Sequence, residues 1–174
     1  MVLGFDASTT CLGWAFWNGI EIVDAGFIDL SRLETNKEKA FHVISVLDTN
    51  PNMPVTSTIN LEAALSGFMG GRTSQQTIIK LARFNAVFEY IISEHWKLPV
   101  HLVSVTTARK SVFGKCRVKG IEPKEYVKQQ LSLRMDLKKF DKINTRGGWD
   151  AHNSDMYDGM VMAMTQHENH TDNV

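Results

Sequence analysis

The first thirty residues constrain the fold most narrowly, because they have the pattern of three consecutive antiparallel strands. A short apolar run over residues 2–5 ends in Asp6, and a second strand is predicted over residues 12–17. Asn18 and Gly19 follow, a dipeptide that favours a type I′ hairpin turn in which both residues take positive φ. A returning strand is predicted over residues 20–28. The chain therefore begins with a predicted three-stranded antiparallel meander.

Helical and strand patterns alternate through the rest of the chain, which is typical of an α/β domain. Two further strands are predicted, over residues 58–62 and 100–105. Apolar residues at helical spacing predict helices over residues 34–47, 74–92, 107–113, 123–133 and 153–166. Ser74 is the expected N-cap of the longest of them. We expect a single domain over residues 1–167, followed by a frayed polar tail over residues 168–174.

Composition excludes several classes of protein. The chain has 174 residues, of which 43% are hydrophobic and 22% charged, so it is neither a disordered chain nor a fibre. Its longest uncharged stretch, residues 7–20, is too short and too polar to span a membrane. No basic stretch precedes Val2, so no secretory signal is expected. Cys11 and Cys116 fit free thiols in a reducing compartment: the cytoplasm of a cell, including a phage-infected one, or an organellar matrix.

Positive charge is concentrated in one segment although the net charge is zero. Residues 109–146 contain twelve Lys and Arg against four Asp and Glu. Such a run is either an ordinary solvated face or a surface for a polyanion, and its length favours the polyanion. The side chains predicted to contact phosphates are Arg109, Lys110, Lys115, Arg117, Lys119, Lys124 and Lys128. Contacts of this kind position nucleic acid without reading its bases.

Four acids carry the candidate chemistry. Asp6 and Glu62 each end a predicted strand, while Asp155 and Asp158 are spaced i and i+3 and so share one face of the last helix. Any one of them alone fits a turn or helix cap. Asp158, however, lies within an apolar run, and an acid facing a core needs a partner. Clustered carboxylates repel unless a cation neutralises them, and Mg²⁺ or Mn²⁺ suits such oxygen ligands.

These motifs resemble those of the RuvC-type Holliday junction resolvases of the ribonuclease H-like superfamily. Residues 4–8 (Gly-Phe-Asp-Ala-Ser) and 13–15 (Gly-Trp-Ala) look like the first strand pair of that family. Residues 59–62 (Ile-Asn-Leu-Glu) resemble its second acidic strand, and residues 155–163 its terminal helix with two acids three apart. Residues 109–131 resemble its DNA-contact region. The resemblance covers most of the chain, with the acids in the expected order.

The resemblance implies a ribonuclease H-like α/β fold, a mixed five-stranded sheet with helices on both faces. It also implies that Asp6, Glu62, Asp155 and Asp158 bind Mg²⁺, with Mn²⁺ as a substitute, and are the catalytic residues. A homodimer would carry two such sites and nick a four-way junction symmetrically. Water activated by Mg²⁺ would be the nucleophile and would leave 5′-phosphate ends.

The chain departs from the family pattern after its second acid. Residues 67–71 (Gly-Phe-Met-Gly-Gly) are unusually glycine-rich, so the residues that open the junction are expected to differ. Phe68 is the candidate wedge between base steps, with a buried core position as the alternative. Asp150 and His152 are candidates for an assisting ligand or proton shuttle, or for capping and loop roles. Trp149 is either an edge residue or part of a DNA-facing loop.

Three other functions stay open on the residues alone. The same fold could serve a nuclease that acts broadly on branched DNA such as Y-forks and flaps, or a scaffold that binds branched DNA without cutting. Intact acids argue against the scaffold. Residues 6–10 also resemble the first phosphate loop of actin-like ATPases, but no second phosphate loop is found. Junction cleavage is the interpretation that accounts for both the four acids and the basic segment.

Overall fold

A computed structural model describes residues 1–64 and 74–166 of the chain. Its strands are β1 (Val2–Ala7), β2 (Cys11–Trp17), β3 (Ile22–Asp29), β4 (Thr58–Glu62) and β5 (Val100–Val103). Its α-helices are α1 (Asn36–Leu47), α2 (Gln75–Trp96), α3 (Val105–Phe113), α4 (Pro123–Ser132) and α5 (Asn153–Met164). Within these two ranges, no helix combines the length and apolar character that crossing a bilayer requires.

The five strands form one mixed sheet in the order β3-β2-β1-β4-β5. The first three strands make the predicted antiparallel meander, while β4 runs parallel to β1 and β5 runs parallel to β4. Phe5 pairs with Leu61 across β1 and β4. Because these two strands are parallel neighbours in this register, the residues that follow the pair, Asp6 and Glu62, end up side by side.

Alternation along the strands sends side chains to two separate cores. Leu3 and Phe5 of β1 and Leu61 of β4 belong to the core shared with α1 and α2. Residues of the opposite parity face the second core, which α3, α4 and α5 cover. Asp6 and Glu62 have that opposite parity, so both carboxylates project towards α5. The predicted sheet with helices on both faces is confirmed.

Helix α5 lies unusually close to the sheet because glycines line the contact. A Cβ atom built on Gly13 would stand 1.9 Å from the carbonyl oxygen of Asp155, and one on Gly4 would stand 2.1 Å from the backbone nitrogen of Ala163. On the helix side, a Cβ on Gly159 would meet the backbone of Gly13 at 2.8 Å. These glycines let the backbone of α5 touch β1 and β2, which sets the depth of its acidic face.

The other end of α5 is fixed by a buried amide. Asn60 of β4 is fully buried, and its Nδ2 donates to the carbonyl oxygens of Met162 at 2.9 Å and Thr165 at 3.0 Å. Both carbonyls lie where helical hydrogen bonding runs out. Asn60 therefore satisfies the C-terminal end of α5 and holds the helix against the strand that carries Glu62.

The predicted type I′ turn is wrong. Gly19 has a φ of 99°, but Asn18 is not among the residues with positive φ. The Asn18 side chain instead accepts hydrogen bonds from the backbone nitrogens of Ile20 and Glu21, both at 2.8 Å, and Trp17 pairs with Ile22. This side-chain turn lengthens the loop, so β3 begins two residues later than expected.

Candidate active site

Asp6 and Glu62 are the half-buried acids that the sheet contributes to the site. Each stands at the carboxyl end of its strand, and their carboxyl groups share a hydrogen bond. Burial raises the pKa of Asp6 well above its usual range, and the neighbouring Glu62 raises it further. Burial likewise raises the pKa of Glu62, with the bond to Asp6 partly opposing the change. Two adjacent half-buried carboxyls can share one proton, because ionising both would place like charges together where water screens them poorly.

Asp158 reaches this pair from the middle of α5. Its carboxylate accepts a hydrogen bond from Nη2 of Arg109 at 2.9 Å, and both side chains are only 11% exposed. Burial raises the pKa of Asp158, and the Arg109 charge offsets part of that rise. The predicted buried acid in the apolar run therefore has a partner, a guanidinium from α3 that was predicted to contact phosphate.

Asp155, one helical turn earlier, is more exposed than Asp158, at 21% of its side chain against 11%. Nζ of Lys124 donates to its Oδ1 at 2.7 Å, and Nδ1 of His152 lies 3.0 Å from its Oδ2. Burial alone would raise the pKa of Asp155, but the bonds from Lys124 and His152 outweigh it and leave the pKa lowered. Asp150 accepts a hydrogen bond from the backbone nitrogen of His152, which is a loop role.

The four predicted acids lie at one end of the sheet, and two cations offset their charge. Electrostatic interactions connect Asp6 with Asp158 and Asp155, and both Arg109 and Lys124 act on Glu62. Across the described ranges, however, the acids do not draw three ligand atoms within 4.8 Å of one another; that closeness is reached by Cys11, His152 and Asp155. The four-carboxylate donor set has the oxygen chemistry that Mg²⁺ prefers.

The remaining predicted DNA-contact residues surround the point where α3 ends and α4 begins. Gly114 ends α3 with a φ of 77°, and the chain then runs exposed to Pro123. The exposed basic side chains on this segment are Lys110, Lys115, Arg117 and Lys119. Lys124 belongs to the same segment but turns to Asp155. Phe68, the candidate wedge, lies outside the described residues.

Trp149 adds an aromatic surface next to this basic segment. Its ring is 41% exposed, Nζ of Lys128 stands 4.8 Å from the ring centroid, and the ring lies 6.3 Å from that of Tyr157. The hydroxyl of Tyr157 hydrogen-bonds Asp141, and burial raises the Tyr157 pKa. The Trp149 ring therefore lies against Lys128 and Tyr157 while the residue keeps a solvent-exposed part.

Sequence reasoning missed two features of this site. Cys11, interpreted only as a free thiol, lies beside Asp155 because it starts β2 on the face that α5 covers. Arg109 and Lys124 were expected to contact DNA but are ion-paired with the acids. The position of Cys11 could have been predicted only by knowing which face of β2 it lies on and that α5 covers that face.

Comparisons with known proteins identify the fold. Neither a protein-family model nor a curated protein sequence matches the chain. Among solved structures, Thermus thermophilus RuvC matches with a TM-score of 0.58 at 13% identity, covering 94% of this chain and 90% of that one. The same protein in complex with a Holliday junction substrate matches with a TM-score of 0.59 at 14% identity, with the same coverage.

A third solved structure comes from a eukaryotic organelle. The yeast mitochondrial Holliday junction resolvase Ydc2 matches with a TM-score of 0.58 at 16% identity, covering 94% of this chain and 75% of that one. At these identities the three matches show a shared fold over 94% of this chain. The chain therefore has the RuvC-like form of the ribonuclease H-like fold, as its sequence motifs indicated.

Proposed function

We propose that this protein is a metal-dependent endonuclease that resolves four-way DNA junctions by paired, symmetric nicks. The observation that carries the proposal is the convergence of Asp6, Glu62, Asp155 and Asp158 on one end of the sheet. Buried acids with raised pKa values reduce stability, and such costs persist in proteins mainly where function needs them. The fold shared with RuvC and Ydc2 supports the same reaction class.

The four acids would hold Mg²⁺, with Mn²⁺ as a substitute. Bound there, the ion supplies a Lewis acid for phosphate oxygens and a water of lowered pKa. Asp6 and Glu62 fix the inner edge of the site because each is part of a paired strand. Asp155 and Asp158 fix the outer edge because α5 is pressed onto the sheet by glycine contacts.

Arg109 and Lys124 offset the negative charge of the acids when neither metal nor DNA is bound. Nε of Arg109 is buried and has no hydrogen-bond partner among the described residues, so this guanidinium retains donor capacity. A cation bound to Asp158 would weaken the ion pair between Asp158 and Arg109. The N–H groups of Arg109 could then donate to a phosphate oxygen. Lys124 is 58% exposed at the rim and would serve the next phosphate along the strand.

The basic residues at the end of α3 and in the loop that follows it would position the DNA. Lys110, Lys115, Arg117 and Lys119 carry four exposed positive charges there. Phosphate contacts release counterions, so binding should weaken steeply as salt rises, with little dependence on base sequence. This is the behaviour expected of an enzyme that selects the shape of branched DNA.

A homodimer is part of the proposal, because symmetric nicking needs two sites. Helices α1 and α2 present an apolar surface to solvent, with Phe41 48%, Ile79 45% and Tyr90 68% exposed. A groove between them is lined by Lys37, Phe41, Ala86, Val87, Tyr90 and Ile91. Exposed apolar patches of this kind mark interaction sites. A second copy of the chain is the partner that the function requires.

Cleavage of defined DNA substrates tests the proposal. The purified protein is incubated with an end-labelled four-way junction, a Y-fork and a linear duplex, in Mg²⁺ or in EDTA. We expect Mg²⁺-dependent nicks on the junction and none with Asp6→Asn, which should retain junction binding. Glu21→Gln is the matched control, because Glu21 is an exposed acid at the opposite end of the sheet.

The other outcomes each point elsewhere. Equal cutting of forks and junctions would favour the broader branched-DNA nuclease. Tight junction binding without cutting would favour the scaffold. Unchanged cleavage by Asp6→Asn would refute the assignment of the acids.

A further inference from the structure

Three chemically different metal ligands lie close together next to the acids. Only one of them, Asp155, belongs to the predicted magnesium set. Sγ of Cys11, a ring nitrogen of His152 and a carboxylate oxygen of Asp155 all lie within 4.8 Å of one another. Cys11 is 2% exposed, whereas His152 is 42% exposed at its side chain. The group therefore combines a buried sulfur with an imidazole that is partly exposed to solvent.

We propose that Cys11, His152 and Asp155 form a binding site for a thiophilic divalent cation, with Zn²⁺ as the best-suited ion. The site shares Asp155 with the four acids proposed to hold Mg²⁺ and adds the ligands Cys11 and His152. Its metal binding does not depend on the proposed nuclease activity. Solvent at the exposed side of His152 supplies the fourth ligand.

The separations suit a tetrahedral ion. Zn²⁺ bonds sulfur, nitrogen and oxygen at about 2.0–2.3 Å, which places ligand atoms about 3.3–3.8 Å apart in a tetrahedron. Nδ1 of His152 and Oδ2 of Asp155 are already 3.0 Å apart. The separations to Sγ of Cys11 are no longer than 4.8 Å, so all three ligand atoms stand close to tetrahedral spacing.

The ligand types select against magnesium. Thiolate and imidazole are soft or borderline ligands that suit Zn²⁺ and Co²⁺, whereas Mg²⁺ prefers oxygen. Each strand and helix contributes for a local reason: Cys11 begins β2 on the face towards α5, and His152 and Asp155 lie at the start of α5. The site is therefore built by the same packing that brings α5 onto the sheet.

The surrounding charge favours a cation. Burial raises the pKa of the Cys11 thiol, and the nearby Asp155, Asp6 and Asp29 raise it further. Asp29 pairs with Cys11 across β2 and β3 and also acts on His152. The negative potential that opposes loss of the thiol proton attracts a metal ion. On binding, the Sγ–H proton leaves to solvent, an Sγ–metal bond forms, and no oxidation occurs.

Asp155 couples the two sites through its two oxygens. Oδ2 faces His152, while Oδ1 accepts the hydrogen bond from Lys124. An ion on Oδ2 replaces the imidazole contact and leaves Oδ1 directed to Lys124. Occupancy of the thiophilic site therefore changes the acid that is shared with the predicted magnesium set.

Cobalt absorption tests the proposal on the full-length protein without DNA. Co²⁺ is titrated into the reduced, metal-free protein, and the thiolate-to-cobalt charge-transfer band in the near ultraviolet is followed. We expect a band that saturates at one ion per chain and disappears when Zn²⁺ is added. Cys11→Ser should abolish it, whereas Cys116→Ser should preserve it. Circular dichroism checks that Cys11→Ser is folded.

A second pair of variants keeps the test decisive should Cys11→Ser unfold. His152→Ala should weaken cobalt binding by at least about tenfold, since losing even an outer contact to a ligand costs that much. His95→Ala is the matched control, because that imidazole is also 42% exposed and also contacts an aspartate, Asp48. Absence of a band in the wild type, or equal effects of the two histidine variants, would overturn the proposal. Because no DNA is present, the result is independent of the cleavage assay.

Discussion

Replacing Gly13 by alanine should separate α5 from the sheet and disable the site without touching an acid. The added Cβ would stand 1.9 Å from the Asp155 carbonyl oxygen and 2.2 Å from its carbonyl carbon. Ordinary contact begins at 3.4 Å, so the helix must retreat by about 1.5 Å. Both contacts are to backbone, so no flexible side chain can give way.

The size of the effect follows from that displacement. Overpacking a well-packed core costs about 1–3 kcal/mol, and this contact lies at the severe end because two backbones collide. Asp155 and Asp158 move with the helix, away from Asp6 and Glu62. A misplacement of about 1 Å at a reacting centre can lower the rate about 100-fold. We therefore expect Gly13→Ala to lose about 3 kcal/mol of stability and at least about 100-fold in junction cleavage.

Urea unfolding and single-turnover junction cleavage measure the two effects. Gly148→Ala is the matched control, since its Cβ would meet nothing closer than 3.4 Å. The control should keep wild-type stability within about 0.5 kcal/mol, as surface substitutions usually do. Wild-type stability together with wild-type cleavage in Gly13→Ala would refute the conclusion that glycine contacts set the depth of α5.

Three further outcomes follow from the ionised groups and the apolar face. Arg109→Met should lower the free energy of unfolding by about 3–5 kcal/mol, because it leaves Asp158 buried and unpaired. In urea unfolding, the double variant Arg109→Met with Asp158→Asn should recover most of that loss. An absence of recovery would contradict the pairing of Arg109 with Asp158. The raised pKa of Asp6 means that the folded protein holds a proton there that the unfolded chain loses above about pH 4. Stability in EDTA should therefore fall as pH rises through the raised pKa, so thermal unfolding should show Asp6→Asn gaining on the wild type as pH rises above about 4; a constant difference would contradict this. Tyr90→Glu should dissociate the proposed dimer in sedimentation, with His42→Glu on the exposed surface of α1 as control; equal effects would argue against the apolar face.

The order of strands and acids could be predicted from local pattern. Asp6 and Glu62 each end a short apolar run, so they meet if β1 and β4 are parallel neighbours. The alternation of helices and strands favours that arrangement. The i, i+3 spacing places Asp155 and Asp158 on one helix face through the geometry of the α-helix alone. These features depend on residues near one another in the chain or on general rules of topology.

Contacts between distant elements could not be predicted in the same way. The depth of α5 depends on Gly13 meeting the backbone of Asp155, a contact between residues far apart in sequence. The pairing of Arg109 with Asp158 has the same origin, since a basic residue on α3 looks like any other surface charge until α3 is placed beside α5. The type I′ prediction at Asn18 is wrong for a local reason: the Asn18 side chain competes for the backbone donors that follow it.

Mapping both cleavage positions on a four-way junction tests whether this protein is a junction resolvase. The junction carries a label on each strand in turn, and the wild-type protein acts in Mg²⁺. We expect two nicks at symmetry-related positions on opposing strands, each leaving a 5′-phosphate, and none in EDTA. Nicks on a single strand, unrelated positions on the two strands, or cutting that persists in EDTA would contradict it.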